Sequence, residues 1–114
     1  MSLDFSLYLE VDAGGDEPHR VVFFSRNITH NLTTMADEAG IYKALWRADE
    51  TCEVASELIP TLTLGLETLK GNPEHFEKFN AKNGWGLYEH FVPFVEACRD
   101  ACVEFPKAKV HSCT

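Results

Sequence analysis

A chain of 114 residues with 45% hydrophobic content has the size of one domain and can bury about 65% of its unfolded surface, so folding requires no metal or disulfide staple. Its formal net charge of −8, from 18 acids against 10 bases, argues against a nucleic-acid partner, because neutralising a phosphate backbone takes clustered cations. No stretch approaches the roughly 18 consecutive apolar residues of a membrane span, and the chain opens without a charged segment followed by an apolar run, so a cytoplasmic protein with no membrane partner is expected.

From Phe5 to Asp12 apolar residues (Phe5, Leu7, Leu9, Val11) alternate with Ser6, Tyr8, Glu10 and Asp12, the period of a half-buried strand. Ala13-Gly14-Gly15-Asp16-Glu17-Pro18 supplies turn residues, and Arg20-Val21-Val22-Phe23-Phe24-Ser25 follows as a β-branched and aromatic run. The first 25 residues therefore predict a β-hairpin.

Helical signals begin after Asn27: Thr29 or Asn31 can cap a short helix near residues 31–39, which Gly40 stops. Ile41 to Asp49 sustains no single period and predicts a turn or a second short helix. Thr51 caps a longer predicted helix carrying Ala55, Leu58, Ile59, Leu62, Leu66 and Leu69, ended by Gly71-Asn72-Pro73. Pro60 inside that span requires that the regular helix start just before it or bend there. Glu74 to Asn80 adds a short helix with Phe76 and Phe79 inward. The strongest period belongs to the last helix, where Leu87, Phe91, Phe94, Val95, Cys98, Cys102 and Phe105 form one stripe. Pro93 removes one hydrogen bond near its start and Pro106 closes it. Lys107 to Cys113 alternates again, with Ala108 and Val110 inward, as a final strand.

The order predicts an α+β fold in one domain spanning residues 1–114, with the N-terminal hairpin and the C-terminal strand forming a small antiparallel sheet packed against three to four helices. Three strands leave two sheet edges, so a homodimer through an edge or a helix face is expected.

Four cysteines invite a zinc reading in which His111 and Cys113 approach Cys98 and Cys102. Cys98 and Cys102 lie on the apolar stripe, however, where free cysteine behaves as a small hydrophobe, and no Cys-x2-Cys pair is present. Neither a metal nor a cofactor is expected. The chain has no nucleophile elbow, phosphate-binding loop, His-Glu-x2-His or dinucleotide fingerprint. Among five scattered histidines, His30 and His90 are the candidates for a general base.

Two short polar segments stand where ordered elements begin: Asn27-Ile28-Thr29-His30-Asn31 and Asn83-Gly84-Trp85-Gly86, the latter followed by Tyr88 and Glu89. Glycines on both sides of Trp85 let the backbone approach a neighbour and hold an indole at a helix entrance. Should both helix N-termini face one cleft, Thr29, His30, Asn31, Asn83, Trp85, Tyr88 and Glu89 would form a binding site for an anionic or carbonyl-bearing ligand. Taken singly, each segment is explained by capping and a tight turn.

Thr29-His30-Asn31 and Asn83-Gly84-Trp85-Gly86-Leu87-Tyr88-Glu89 resemble a small uncharacterised family of bacterial and bacteriophage proteins, over nearly the whole chain. The resemblance implies a phage-related accessory protein and no established activity. The expected function is a small acidic binding or interaction module, taking a small ligand or a protein partner without catalysis. One alternative is an acidic inhibitor or anti-defence protein acting through its negative half, which carries eleven acids and four bases over residues 1–57, with Asp37, Glu38, Asp49 and Glu50 as contacts. The other is a small hydrolase-type enzyme using His30 or His90.

Overall fold

Alternation along the N-terminal segment produces β1 (Ser2–Val11), whose Leu3, Phe5 and Leu7 are fully buried on the helical side of the sheet. The protein is described from a computed structural model covering residues 2–114. β2 (His19–Thr29) pairs antiparallel with β1, and β3 (Lys109–Cys113) pairs antiparallel with the other edge of β1, giving the order β2-β1-β3. Both hairpin strands run further than their sequence patterns predict, β2 by four residues past Ser25. Asn27 is the reason at that end: opposite Asp4, its amide donates to Asp4 Oδ1 at 2.7 Å and to Ser2 Oγ at 3.0 Å. A cross-strand polar pair thus sustains pairing where apolar alternation has ended.

One irregularity changes which side chains face the helices. Leu7 pairs with Phe24 but Tyr8 pairs with Val22, so Phe23 is an extra, bulged residue. Strict alternation would put Phe23 and Phe24 on opposite faces; the bulge turns both toward the helical side. Phe24 meets Phe5 edge-on at 6.4 Å between ring centroids, and Phe23 stacks on Phe105 at 5.3 Å.

Among the described residues there are six α-helices, four of them short. A single 3-10 turn at His30–Leu32 leads into α1 (Thr33–Glu38). Gly40 ends it at φ +78°, with Gly40 N–H donating to Asp37 O and Ile41 N–H to Ala36 O, the paired bonds of a Schellman stop. α2 (Tyr42–Trp46) and α3 (Ala48–Thr51) fill the stretch without a single period. Thr51 does not cap the next helix. It is the last residue of α3, and its hydroxyl donates to Ala48 O at 3.2 Å. Residues 52–58 are instead drawn onto the C-terminal segment, where Ala55 N–H donates to Ala108 O and Ser56 N–H to Pro106 O. Glu57 receives the amides of Glu53 and Val54, which hold its carboxyl below the usual range. Regular helix resumes only at α4 (Ile59–Gly71), with Pro60 in its first turn, where a missing N–H breaks no intrahelical bond.

α5 (Pro73–Glu77) is shorter than its pattern and buries Phe76. α6 (Tyr88–Glu104) carries the predicted stripe, with Phe91, Phe94, Val95, Cys98 and Cys102 buried and Pro93 inside the helix. α4 packs along α6, and its Gly65 lies so close to Ile41, just before α2, that an added Cβ would collide with the Ile41 side chain. One core unites the sheet and the helices, and among the described residues no polar or charged one is buried in it. At about 1.5–3 kcal/mol per buried large side chain, this apolar burial outweighs the ion pairs, which are solvent-exposed and contribute about 0–1 kcal/mol each. β3 pairs with β1 only over Asp4–Tyr8, so the distal hairpin continues two strands wide, and the molecule measures 53 × 27 × 20 Å. Among the described residues no helix is long and apolar enough to cross a membrane.

Candidate functional site

The two polar segments meet. Asn31, in the 3-10 turn that follows β2, donates from its side-chain amide to Trp85 O at 2.7 Å. Gly86 sits against the same turn so closely that a Cβ there would lie 2.9 Å from Asn31 Cβ and 3.4 Å from Thr29 Cγ2. Its φ of +121° lies outside the range that side-chain-bearing residues adopt readily. Glycine at 86 is thus required twice, by the backbone conformation and by the contact.

The loop from Ala81 to Gly86 closes on itself through Ala81 N–H to Gly86 O at 3.0 Å and Gly84 N–H to Ala81 O at 3.1 Å. Asn83 Oδ1 accepts from Trp85 N–H at 3.0 Å, and Gly84 takes φ +79°. These bonds fix the backbone and leave the indole out: Trp85 is 72% exposed, whereas Trp46 is 4% exposed. The turn is therefore held by its backbone and Asn83, not by a packed indole.

A groove of about 350 Å³ runs between the segments, lined by Asn27, Ile28, Thr29, Leu32, the Gly84-Trp85-Gly86 backbone and side chain, and His90. Of the seven residues expected at the site, Thr29 and Trp85 line the groove and Asn31 holds its walls together. The other four do different work. His30 turns to a separate depression, its Nδ1 accepting from Trp46 Nε1 at 3.2 Å; an indole N–H only donates, so that ring nitrogen carries no proton. Asn83 is committed to the turn. Tyr88 donates its hydroxyl to Leu69 O at 2.7 Å, tying the start of α6 to α4. Glu89 is exposed and does not line the groove.

Helix capping also differs from the sequence pattern. Thr29 Oγ1 accepts from Asn31 N–H at 3.4 Å and so caps only the 3-10 turn, while α1 begins without a side-chain cap. The first N–H of α6, that of Tyr88, is received by Asn80 Oδ1 at 2.7 Å. Leu32, the N-cap of α1, lines the groove as Gly86 and His90 do at the start of α6, so both helix entrances flank it, although α1 is only six residues long. Among the described residues the groove lining contains no carboxylate, ammonium or guanidinium group. Asn27, Ile28, Leu32, Gly84, Gly86 and His90 are the lining residues that the expected set lacked; the pairing of Asn27 across the sheet and the position of His90 in the first turn of α6 place two of them, and neither shows as a local pattern.

A depression of about 550 Å³ beside His30 is larger, but its Arg47, Asp49, Glu50 and Ser112 side chains are already paired. Arg47 binds Glu50 at 3.1 Å, and Asp49 receives His111 Nδ1 at 2.8 Å and Ser112 N–H at 2.9 Å. Burial pushes the Asp49 carboxyl up, yet the Ser112 amide and His111 together hold it below the usual range. In the groove, by contrast, the Trp85 indole N–H and the His90 ring have no hydrogen-bond partner among the described residues. The same pairing bears on the proposed acidic contact surface, since Glu38 meets His75 at 3.4 Å while Asp49 and Glu50 are occupied as described.

Cys98 and Cys102 lie in the core and Cys113 is exposed on β3. Burial pushes the Cys98 thiol well up and that of Cys102 up to about 12, while burial, with Glu57 and Asp49 nearby, takes Cys52 up to about 11. Among the described residues no three His, Cys, Asp or Glu side chains come together as a metal site would require. Comparison with models of known protein families, with curated proteins and with solved structures found no match to this chain.

Proposed function

We propose that this protein is a small binding module that takes an uncharged ring compound bearing hydroxyl or amide groups in the groove between Thr29 and Trp85. The observation that carries the reading is the exposed Trp85 indole held on a backbone fixed by Asn31, Asn83 and two glycines. Exposing an indole forgoes about 1.5–3 kcal/mol of burial, and doing so on a rigid loop suits a stacking platform, since the ring need not be ordered when the ligand arrives. Around it the Trp85 N–H and the Thr29 hydroxyl can donate, the Asn27 carbonyl oxygen can accept, and the His90 imidazole can do either. The net charge of −8 and a lining without a cation among the described residues favour a neutral ligand over a phosphate or carboxylate.

Binding without catalysis is the better account of His90. A general base requires a second group to orient it, and no side chain holds this imidazole. The test is a titration with N-acetylglucosamine and with adenosine at millimolar concentration, followed by backbone amide NMR. Shifts confined to residues 27–32 and 84–90, absent in Trp85→Ala, are the expected result. Shifts that persist in Trp85→Ala, or none with either compound, would refute the groove as the site.

A further inference from the structure

We infer that the distal half of the hairpin is a docking arm for a basic amphipathic segment of another protein. This arm lies apart from the Trp85 groove, and its occupant is of a different kind. Beyond Tyr8 the sheet has only two strands, and a two-stranded ribbon is marginally stable in water unless one face is covered. The face continuing the core side of β1 carries Leu9, Val11, Val21 and Phe23, which keep between 38% and 46% of their surface exposed. At its base these residues open into a cavity of about 250 Å³ formed by Leu9, Phe23, Phe105, Pro106, Ala108 and the stem of Lys107.

The size and chemistry of that cavity select its occupant. It is smaller than the roughly 300 Å³ at which small-molecule sites begin, and it offers no polar group to orient a free ligand. One large apolar side chain of a partner fits it, as an anchor residue fits a pocket at an interface centre. The rim supplies the second half of the recognition. Lys107 and Lys109 stand at the base of the arm, and Arg20, opposite Glu10, is placed over the Tyr8 ring at 3.9 Å, so the acidic excess lies toward the tip, at Asp12, Asp16 and Glu17. Among the described residues Asp12, Asp16 and Glu17 make no ion pair. Apolar side chains flanked by lysine or arginine complement this arrangement, whereas a second arm would bring two acidic tips together and an anionic lipid surface would repel them.

The probe is a synthetic amphipathic helix of leucine and lysine, with a leucine and glutamate helix and vesicles of anionic phospholipid as the competing occupants. The lysine peptide should bind, and Val11→Ser with Val21→Ser should weaken it about tenfold. Asp16→Lys with Glu17→Lys should weaken it similarly without touching the core, while Asp37→Lys with Glu38→Lys should leave it unchanged. Equal losses in all three variants would reduce the binding to bulk charge and overturn the docking arm. So would binding of the glutamate peptide or of the vesicles, no binding of the lysine peptide, or a dimer in sedimentation that Val11→Ser with Val21→Ser dissolves.

Discussion

Replacing Gly86 by alanine tests whether the groove is built on a contact or only on a turn. A side-chain-bearing residue forced to positive φ costs about 1–2 kcal/mol at Gly84, whose φ is +79° and whose missing Cβ would meet nothing within 4 Å, and no less at Gly86, whose φ of +121° is further from the left-handed region. At Gly86 the new methyl would also press on Asn31 Cβ at 2.9 Å and Thr29 Cγ2 at 3.4 Å, adding the about 1–3 kcal/mol of an overpacked site. Relief by separating the segments would break the 2.7 Å bond from Asn31 to Trp85 O, worth about 0.5–1.5 kcal/mol. Gly86→Ala should therefore lose about 2–5 kcal/mol and Gly84→Ala about 1–2 kcal/mol. Urea unfolding followed by far-ultraviolet circular dichroism gives both values. Acrylamide quenching reports the groove separately, because Trp85 is the accessible tryptophan and Trp46 the shielded one. Equal losses at the two glycines, with unchanged quenching in Gly86→Ala, would show that the two segments do not depend on their contact.

Gly65→Ala, in the middle of α4, gains about 1 kcal/mol of helix propensity, but the methyl would meet the buried, β-branched Ile41; a net loss of about 1–2 kcal/mol by thermal or urea unfolding is expected, and a stabilised variant would mean that α4 shifts freely. In the native protein at mildly alkaline pH, a thiol reagent should modify Cys113 promptly and Cys98 and Cys102 only at the rate of unfolding, since burial keeps both thiols protonated; mass spectrometry of timed samples would reveal a faster reaction if the α6 seam opens locally. The folded-state pKa of Asp49 lies below its unfolded value, so its stabilising effect is present above the ordinary carboxylate range and is lost as pH falls through the folded value. Asp49→Asn should accordingly flatten the acid side of the stability-pH curve, measured as urea midpoints, and an unchanged acid slope would exclude the Asp49, His111 and Ser112 cluster as its source.

Apolar period was enough to read β1, the last strand and the stripe of α6, because each has a face that meets the core and a face that meets water, while β2 was legible from its β-branched and aromatic run after a turn. It failed where chain pairing overruled local preference. Thr51 looks like a cap, but two backbone bonds from Ala55 and Ser56 to the C-terminal segment accompany a 3-10 turn at Ala55–Leu58, so α4 itself begins only at Ile59. Asn27 to Thr29 look like a helix entrance, but cross-strand bonds to Ser2 and Asp4 keep them in β2. The bulge at Phe23 has no local signature at all, since it follows from the register of a strand that must also present Phe24 to Phe5.

The same division runs through the candidate site. Residue order alone determined the fold class, the acidic surface, the Gly40 stop and the presence of two polar segments, since these depend on composition, period and the conformational freedom of single residues. Tertiary structure decided that the segments touch, that Trp85 stays exposed while His30 turns to Trp46, and that His90 joins the groove. Those outcomes depend on bonds between residues far apart in the chain, such as the 54-residue separation of Asn31 from Trp85, and no local window contains both partners.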